Sequence, residues 1–239
     1  MKTSNKILVG AVLTVMLVLA AVHIALYAKY KKGDFVTRQQ LHEERYVKQS
    51  FKGVTSIRLS GLANVDIMPS DTFGLEIENQ DKDHEITVEQ KGDSLILNGG
   101  NSFKDKDGKT NLTRSYYSVI LHLPSGASIV TNESEVRIKG ANDTISAPLY
   151  TIKGNNTEFT FGETKNGNPN GSYYKSIDLY NSNGNALFFN DVILGNLSLH
   201  LTNGSTEDQG MQAGSIALEA DDQSTVSLKG NNLKKIINK

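Results

Sequence analysis

The chain has 239 residues, of which 38% are hydrophobic and 7% aromatic, with no tryptophan. Its 25 basic and 26 acidic residues are interspersed and leave a net charge of −1, so no basic stripe favours nucleic acid. Cysteine is absent, which excludes disulfides, thiolate metal sites, cysteine nucleophiles and lipid attachment through an N-terminal cysteine. The length suits one anchor plus one domain, and the composition suits a core of thin Val, Ile and Leu layers rather than large aromatics.

After a short flank at residues 1–6, residues 7–28 (ILVGAVLTVMLVLAAVHIALYA) form an almost unbroken apolar run. As a helix it spans about 33 Å, close to the hydrocarbon core of a bilayer. Lys2 and Lys6 precede it, Lys29, Lys31 and Lys32 follow it, and Tyr27 and Tyr30 suit the interface. A transmembrane helix or signal anchor is favoured over a cleaved signal peptide, because the run is long and offers no clean small-residue cleavage site. The heavier positive charge after the helix argues for a cytoplasmic C-terminus, but large domains translocate regardless of local charge. Residues 29–50 are dense in charge and amide and read as a juxtamembrane stalk, with Gln39 to Lys48 able to extend the helix.

From Phe51 to Lys239 the texture is period-two alternation punctuated by Gly, Asn and Asp, the signature of strands. Ile57/Leu59, Val65/Ile67, Leu75/Ile77, Ile86/Val88 and Leu95/Leu97 are inward pairs. Val119, Leu121 and Leu123 face inward, with Ile120 and His122 outward. Residues 99–115 and 162–172 read as long polar loops. Residues 176–228 hold three similar units with anchors Ile177/Leu179, Leu199/Leu201 and Ile216/Leu218, and two of the intervals are near 20 residues. No helix is expected after about residue 50. The pattern predicts a single-stranded right-handed parallel β-helix (a β-solenoid), with a β-sandwich as the alternative. Asn181 and Asn203 are placed to ladder along the turns, and residues 231–239, with Leu233, Ile236 and Ile237, form a candidate cap.

The stretches 51–78 (FKGVTSIRLSGLANVDIMPSDTFGLEIE), 86–99 (ITVEQKGDSLILNG) and 118–140 (SVILHLPSGASIVTNESEVRIKG) resemble the bacterial GIN domain, a family named for the head of an auto-transporter adhesin. The resemblance covers residues 51–228 and rests on hydrophobic patterns. It implies an exported β-helix and carries over no catalytic residue. The apolar helix and the β-solenoid character of the remainder read as a single-pass protein of the bacterial inner membrane, with its C-terminal domain in the periplasm or outside the cell. This chain departs from many members in its long N-terminal helix and lack of a lipoprotein cysteine.

No catalytic, metal or cofactor-binding residue emerges from the motifs. His42, His84, His122 and His200 lack ligand spacing, although the shared LHL context of His122 and His200 could bring them together on one face. Asp81/Asp83, Asp105/Asp107, Glu207/Asp208 and Asp221/Asp222 read as solvated turns rather than glycosidase or calcium carboxylates. The KDKDG run at 104–108 lacks the rest of a calcium loop. The contact candidates for a glycan or protein partner are Tyr116, Tyr173 and Tyr174, drawn from the adjacent pairs Tyr116-Tyr117, Tyr173-Tyr174 and Phe188-Phe189. In a strand, one member of each pair points outward.

The chain therefore reads as a membrane-anchored extracytoplasmic β-helix, not an enzyme. It touches lipid through residues 7–28 and binds an envelope protein or glycan, with no cofactor. The alternatives are a cytoplasmic polymerising scaffold like the bactofilins and a carbohydrate-active β-helix enzyme. The irregular loops 99–115 and 162–174 are the expected address of function.

Overall fold

The computed structural model describes residues 3–33, 37–79, 86–104, 110–163 and 171–237, and divides into two compact units, Met1–Arg45 and Tyr46–Lys239. In the first unit, α1 (Thr3–Lys32) and α2 (Arg38–Arg45) are helical. Within α1, residues Lys6–Lys32 form a candidate membrane span, apolar on every side and exposed throughout. A helix of this length and composition can cross a bilayer, and a signal sequence has the same character.

The second unit begins at Tyr46, five residues earlier than the alternation suggests. Its strands are β1 (Tyr46–Gln49), β2 (Ser56–Ser60), β3 (Val65–Pro69), β4 (Gly74–Glu78), β5 (Thr87–Lys91) and β6 (Ser94–Asn98). A hairpin of β7 (Asn101–Lys104) and β8 (Thr110–Thr113) follows where a long loop was expected. Then come β9 (Val119–Leu123), β10 (Ser128–Asn132), β11 (Glu135–Ile138), β12 (Leu149–Asn155), β13 (Glu158–Phe161), β14 (Ser172–Ser182) and β15 (Asn185–Phe188). The chain closes with β16 (Val192–Thr202), β17 (Ser205–Asp208), β18 (Gln212–Ala220), β19 (Thr225–Ser227), a single helical turn α3 (Gly230–Leu233) and β20 (Ile236–Ile237).

These strands build a β-solenoid with two nine-stranded sheets. One runs β1-β4-β9-β3-β11-β13-β15-β17-β19, and the other β20-β18-β16-β14-β12-β10-β2-β6-β5. From β10 onward each coil simply stacks on the last, in parallel. The earlier coils do not follow chain order. The β2/β3 coil lies between the β6/β9 coil and the β10/β11 coil. The antiparallel strands β4 and β1 on one sheet, and β5 on the other, close that end.

Inward columns hold the stack together. Ile57, Ile129, Ile152, Leu179, Leu199 and Leu218 are in register from strand to strand. On the other sheet the column Ile67, Ile138, Phe161, Phe188 turns aromatic. Phe161 and Phe188 stack at 4.4 Å with 4° between their planes, and Tyr174 meets Phe161 edge-on at 6.3 Å. Aromatics thus fill part of a core expected to be aliphatic.

The register differs from the sequence alignment by two residues: Leu179, not Ile177, pairs with Leu199. Asn181 therefore points inward against Leu201, buried beside Gly154 and Gly184, where a Cβ would come within 2.9 Å of its Oδ1. The amide ladder runs instead through Asn132, Asn155, Asn183 and Asn203, with links of 2.8, 3.3 and 2.8 Å. At this corner Glu133, Asn156, Asn183 and Asn203 all adopt φ near +50°. Asn tolerates that left-handed conformation, whereas Glu is strained there.

The C-terminal cap is polar rather than apolar. Leu233 and Ile237 are 54% and 55% exposed, while Asn232 is buried. Asp208 stands inward at the end of the Phe161–Phe188 column, a correction to its reading as a solvated turn. Its Oδ1 accepts from Gly210 N and Met211 N at 2.7 and 2.8 Å. Its Oδ2 accepts from Lys229 N and Asn232 Nδ2 at 2.9 and 2.7 Å. Burial alone would raise its pKa, but these four donors outweigh it and hold the carboxyl below the ordinary value.

Two outcomes follow from this packing. Asp208→Ala leaves four donors unpaired and should cost about 2–4 kcal/mol in urea unfolding. Because the folded pKa is lowered, the contribution is complete above about pH 4 and is lost as the pH falls through the folded value. The variant should therefore lack that part of the acid limb of the stability profile. Conversely, Glu133→Asn should add about 0.5–1 kcal/mol by relieving left-handed strain, read by the same unfolding curves.

Candidate functional site

The solenoid positions its irregular segments at the corners between sheets, and one corner opens into a groove of about 850 Å³. Three of the chain's four prolines line it: Pro69, Pro124 and Pro148. Each stands at a strand boundary, at the end of β3, after β9 and before β12, where its missing N–H costs the ladder least. Lys139 and Lys175 bring positive charge to the lining, and Asp71 and Glu163 bring negative charge.

The wall of the groove is the segment 139–148. Gly140 lets it pass close to β14, since a Cβ there would lie 2.6 Å from the carbonyl carbon of Ser172. Ala141 and Tyr173 then exchange backbone hydrogen bonds of 3.0 and 2.9 Å. Asp143 folds the tip. Its Oδ1 accepts from Ile145 N at 2.9 Å, Ser146 N at 2.8 Å and Ser146 Oγ at 2.7 Å. The bonds from Ser146, backbone and hydroxyl, are the main cause of its lowered pKa. The far end is tied by Leu149 N to Ser125 Oγ at 3.0 Å and by Lys175 N to the Pro148 carbonyl at 2.8 Å. This ordered turn holds Ile145 at the rim, 97% exposed.

The three candidate tyrosines do not act together. Tyr116 is 83% exposed. Tyr173 faces outward, half-buried, and its backbone anchors the groove wall. Tyr174 is in the core, so it leaves the set of surface contacts. Its hydroxyl donates to Ile138 O at 2.6 Å and accepts from Gly162 N at 3.1 Å, and burial pushes its pKa well up. The alternation that makes one member of a pair outward makes the other inward, and here Tyr174 is the inward one. Phe188 is inward for the same reason.

His122 and His200 lie on different sheets and share no face. His122 Nε2 is 3.2 Å from Glu76 Oε1. His200 stacks on Tyr180 at 4.2 Å, with Nδ1 2.9 Å from Glu219 Oε2 and Nε2 3.5 Å from Asp178 Oδ1. Coulombic repulsion from Asp178 raises the Tyr180 pKa. Sequence reasoning missed this cluster because its alignment of the units was two residues out. In the true register Tyr180, His200 and Glu219 are one column. His84 and the pairs Asp81/Asp83 and Asp105/Asp107 lie outside the described residues, as does most of 104–108. Glu207 faces outward on β17, while Asp221 accepts from Asn203 N at 3.0 Å and from Ser224 Oγ at 2.6 Å. Among the described residues no group of three or more His, Asp and Glu is arranged to hold a metal.

No family model and no curated protein matches this chain. Among solved structures it is similar to a crystal structure from Parabacteroides distasonis ATCC 8503, named as a proposed lipid binding protein. The identity is 12% and the TM-score 0.37, with 78% of this chain and 95% of the other covered. At that level the likeness says nothing of a ligand here.

The Asp143 turn makes a direct prediction. Asp143→Ala should speed amide hydrogen exchange at Ile145 and Ser146 while leaving the thermal midpoint of the solenoid in place, because the side chain supports only the exposed tip.

Proposed function

We propose that this chain is a membrane-anchored extracytoplasmic β-helix that acts by non-catalytic binding, with the corner groove as its contact site. The observation that carries the reading is Ile145. An isoleucine almost wholly in solvent, on a turn fixed by three hydrogen bonds, beside a groove of about 850 Å³, is preorganised for a partner. Ordering the contact before docking removes much of the entropy cost of binding. Mixed charge and prolines in the lining suit an extended envelope protein or glycan segment.

The anchor is α1, and the domain lies on the periplasmic or outer side of a bacterial inner membrane. This placement rests on the length and apolarity of α1 and on the resemblance of residues 51–228 to the GIN domain, which we retain as a proposal. Tyr116 and Tyr173 remain secondary contact candidates. The bactofilin-like alternative is disfavoured by the ends of the stack. Antiparallel strands close one end, and α3 with β20, latched by Asp208 and Asn232, closes the other.

Two measurements test this reading. Alkaline phosphatase fused at Lys239 should be active in intact cells, and a cytoplasm-only reporter at the same point silent; the reverse pattern would refute the export. A photo-crosslinking residue at Ile145 should capture one discrete envelope component in cells. Lys139→Glu should reduce that capture about tenfold, by placing a like charge among the groove's acids. A yield equal to that from an outward position on β17 would refute the groove.

A further inference from the structure

The outward face of the β20-to-β5 sheet carries a central column that is independent of the groove. Arg58, Val130, Lys153, Tyr180, His200 and Glu219 are in register on successive strands β2, β10, β12, β14, β16 and β18. Over these six strands the column runs from basic Arg58 to acidic Glu219, and beyond Arg58 it continues through Ile96 on β6 to Glu89 on β5. The columns on either side of it are largely serine, threonine and asparagine. The ridge is also ordered in advance: Lys153 Nζ lies 5.6 Å over the Tyr180 ring, Tyr180 stacks on His200, and His200 bonds Glu219.

We infer that this face docks against the same face of a second copy of the chain, with the two stacks antiparallel about a two-fold axis between β12 and β14. Reversing the column about that axis sets Arg58 against Glu219 of the second copy, Lys153 against Tyr180, and Val130 against His200. Two-fold symmetry makes each of these contacts twice. The flanking column sets Thr151 against Asp178. The register is selective. Sliding one rung one way puts Lys153 on Lys153, and sliding the other way puts Glu219 on Val130. The area suffices as well. Eight strands at about 4.8 Å, each offering about five residues at 3.3 Å, present roughly 630 Å² per copy, about 1,250 Å² over both copies, at the lower edge of the range of specific interfaces. The column's complement is its own reverse, which is why the partner is a second copy.

The absence of cysteine provides the test. In the full-length chain in detergent micelles, Thr151→Cys beside the axis should give a covalent dimer with a short bis-maleimide. Thr160→Cys, outward on the other sheet, should give little. Added to Thr151→Cys, Arg58→Glu sets a glutamate against Glu219 in both symmetric contacts and should lower the dimer yield at least about tenfold. Adding Glu219→Arg to that variant should restore the yield to within about twofold. Association through α1 would respond to neither charge change, so an unrestored double variant overturns the proposal. So does absent cross-linking at residue 151, or equal cross-linking at residue 160.

Discussion

Everything in the second unit depends on one constraint: a side chain that points inward must fit directly over its counterpart one coil below. Where the column repeats, as in Ile129, Ile152, Leu179, Leu199, the layers interdigitate and bury about 1.5–3 kcal/mol per side chain. Where it changes chemistry, the neighbours adjust. Gly154 stands beneath Asn181 because a larger residue would collide with Phe159 and with Asn181 itself. Asp208 ends the aromatic column because the pairing of β17 with β19 stops one residue short of it, and the turn after Asp208, Lys229 and Asn232 supply N–H donors instead.

The same constraint explains the path of the chain. The first coil written in sequence, β2/β3, is buried on both sides, with β6/β9 and β10/β11 as its neighbours. Neither sheet can close around that coil until chain some 70 residues later arrives, since Ile57 pairs with Ile129 and Val65 with Val136. The antiparallel strands at that end break the parallel repeat and leave no parallel edge for further stacking. The regular coils need few residues at their corners, so the extra chain in segments such as 139–148 is free to form walls and turns. This is why the groove arises at a corner and not on a sheet face.

How legible this was depended on how local the signal is. Inward and outward assignments along a strand were readable, because the period of two is local: Val119, Leu121 and Leu123 are buried as their alternation requires. Matching one strand to the next was harder. Ile177 and Leu179 are equally good partners for Leu199 by hydrophobicity, and only the corner decides. Asn183 and Asn203, both with left-handed backbone and both followed by glycine, set the true register. That two-residue slip moved Asn181 into the ladder and hid the Tyr180–His200–Glu219 column. The polar cap was misread for a related reason. Asn232 looks solvated, and only its meeting with Asp208 makes its burial tolerable.

The sequence by itself determined an apolar helix long enough to span a bilayer, an all-β solenoid after it, the near-20-residue repeat of its last coils, and the alternation that turns the aliphatic residues of its strands to the core. These follow from period and composition, which neighbouring residues carry among themselves. Tertiary structure alone decided the out-of-order first coils, the register, the inward Asp208, the groove beneath Ile145 and the charged outer column. Each of these joins residues from separate coils. Whether such residues meet depends on how the coils stack, which the alternation within a single strand does not encode.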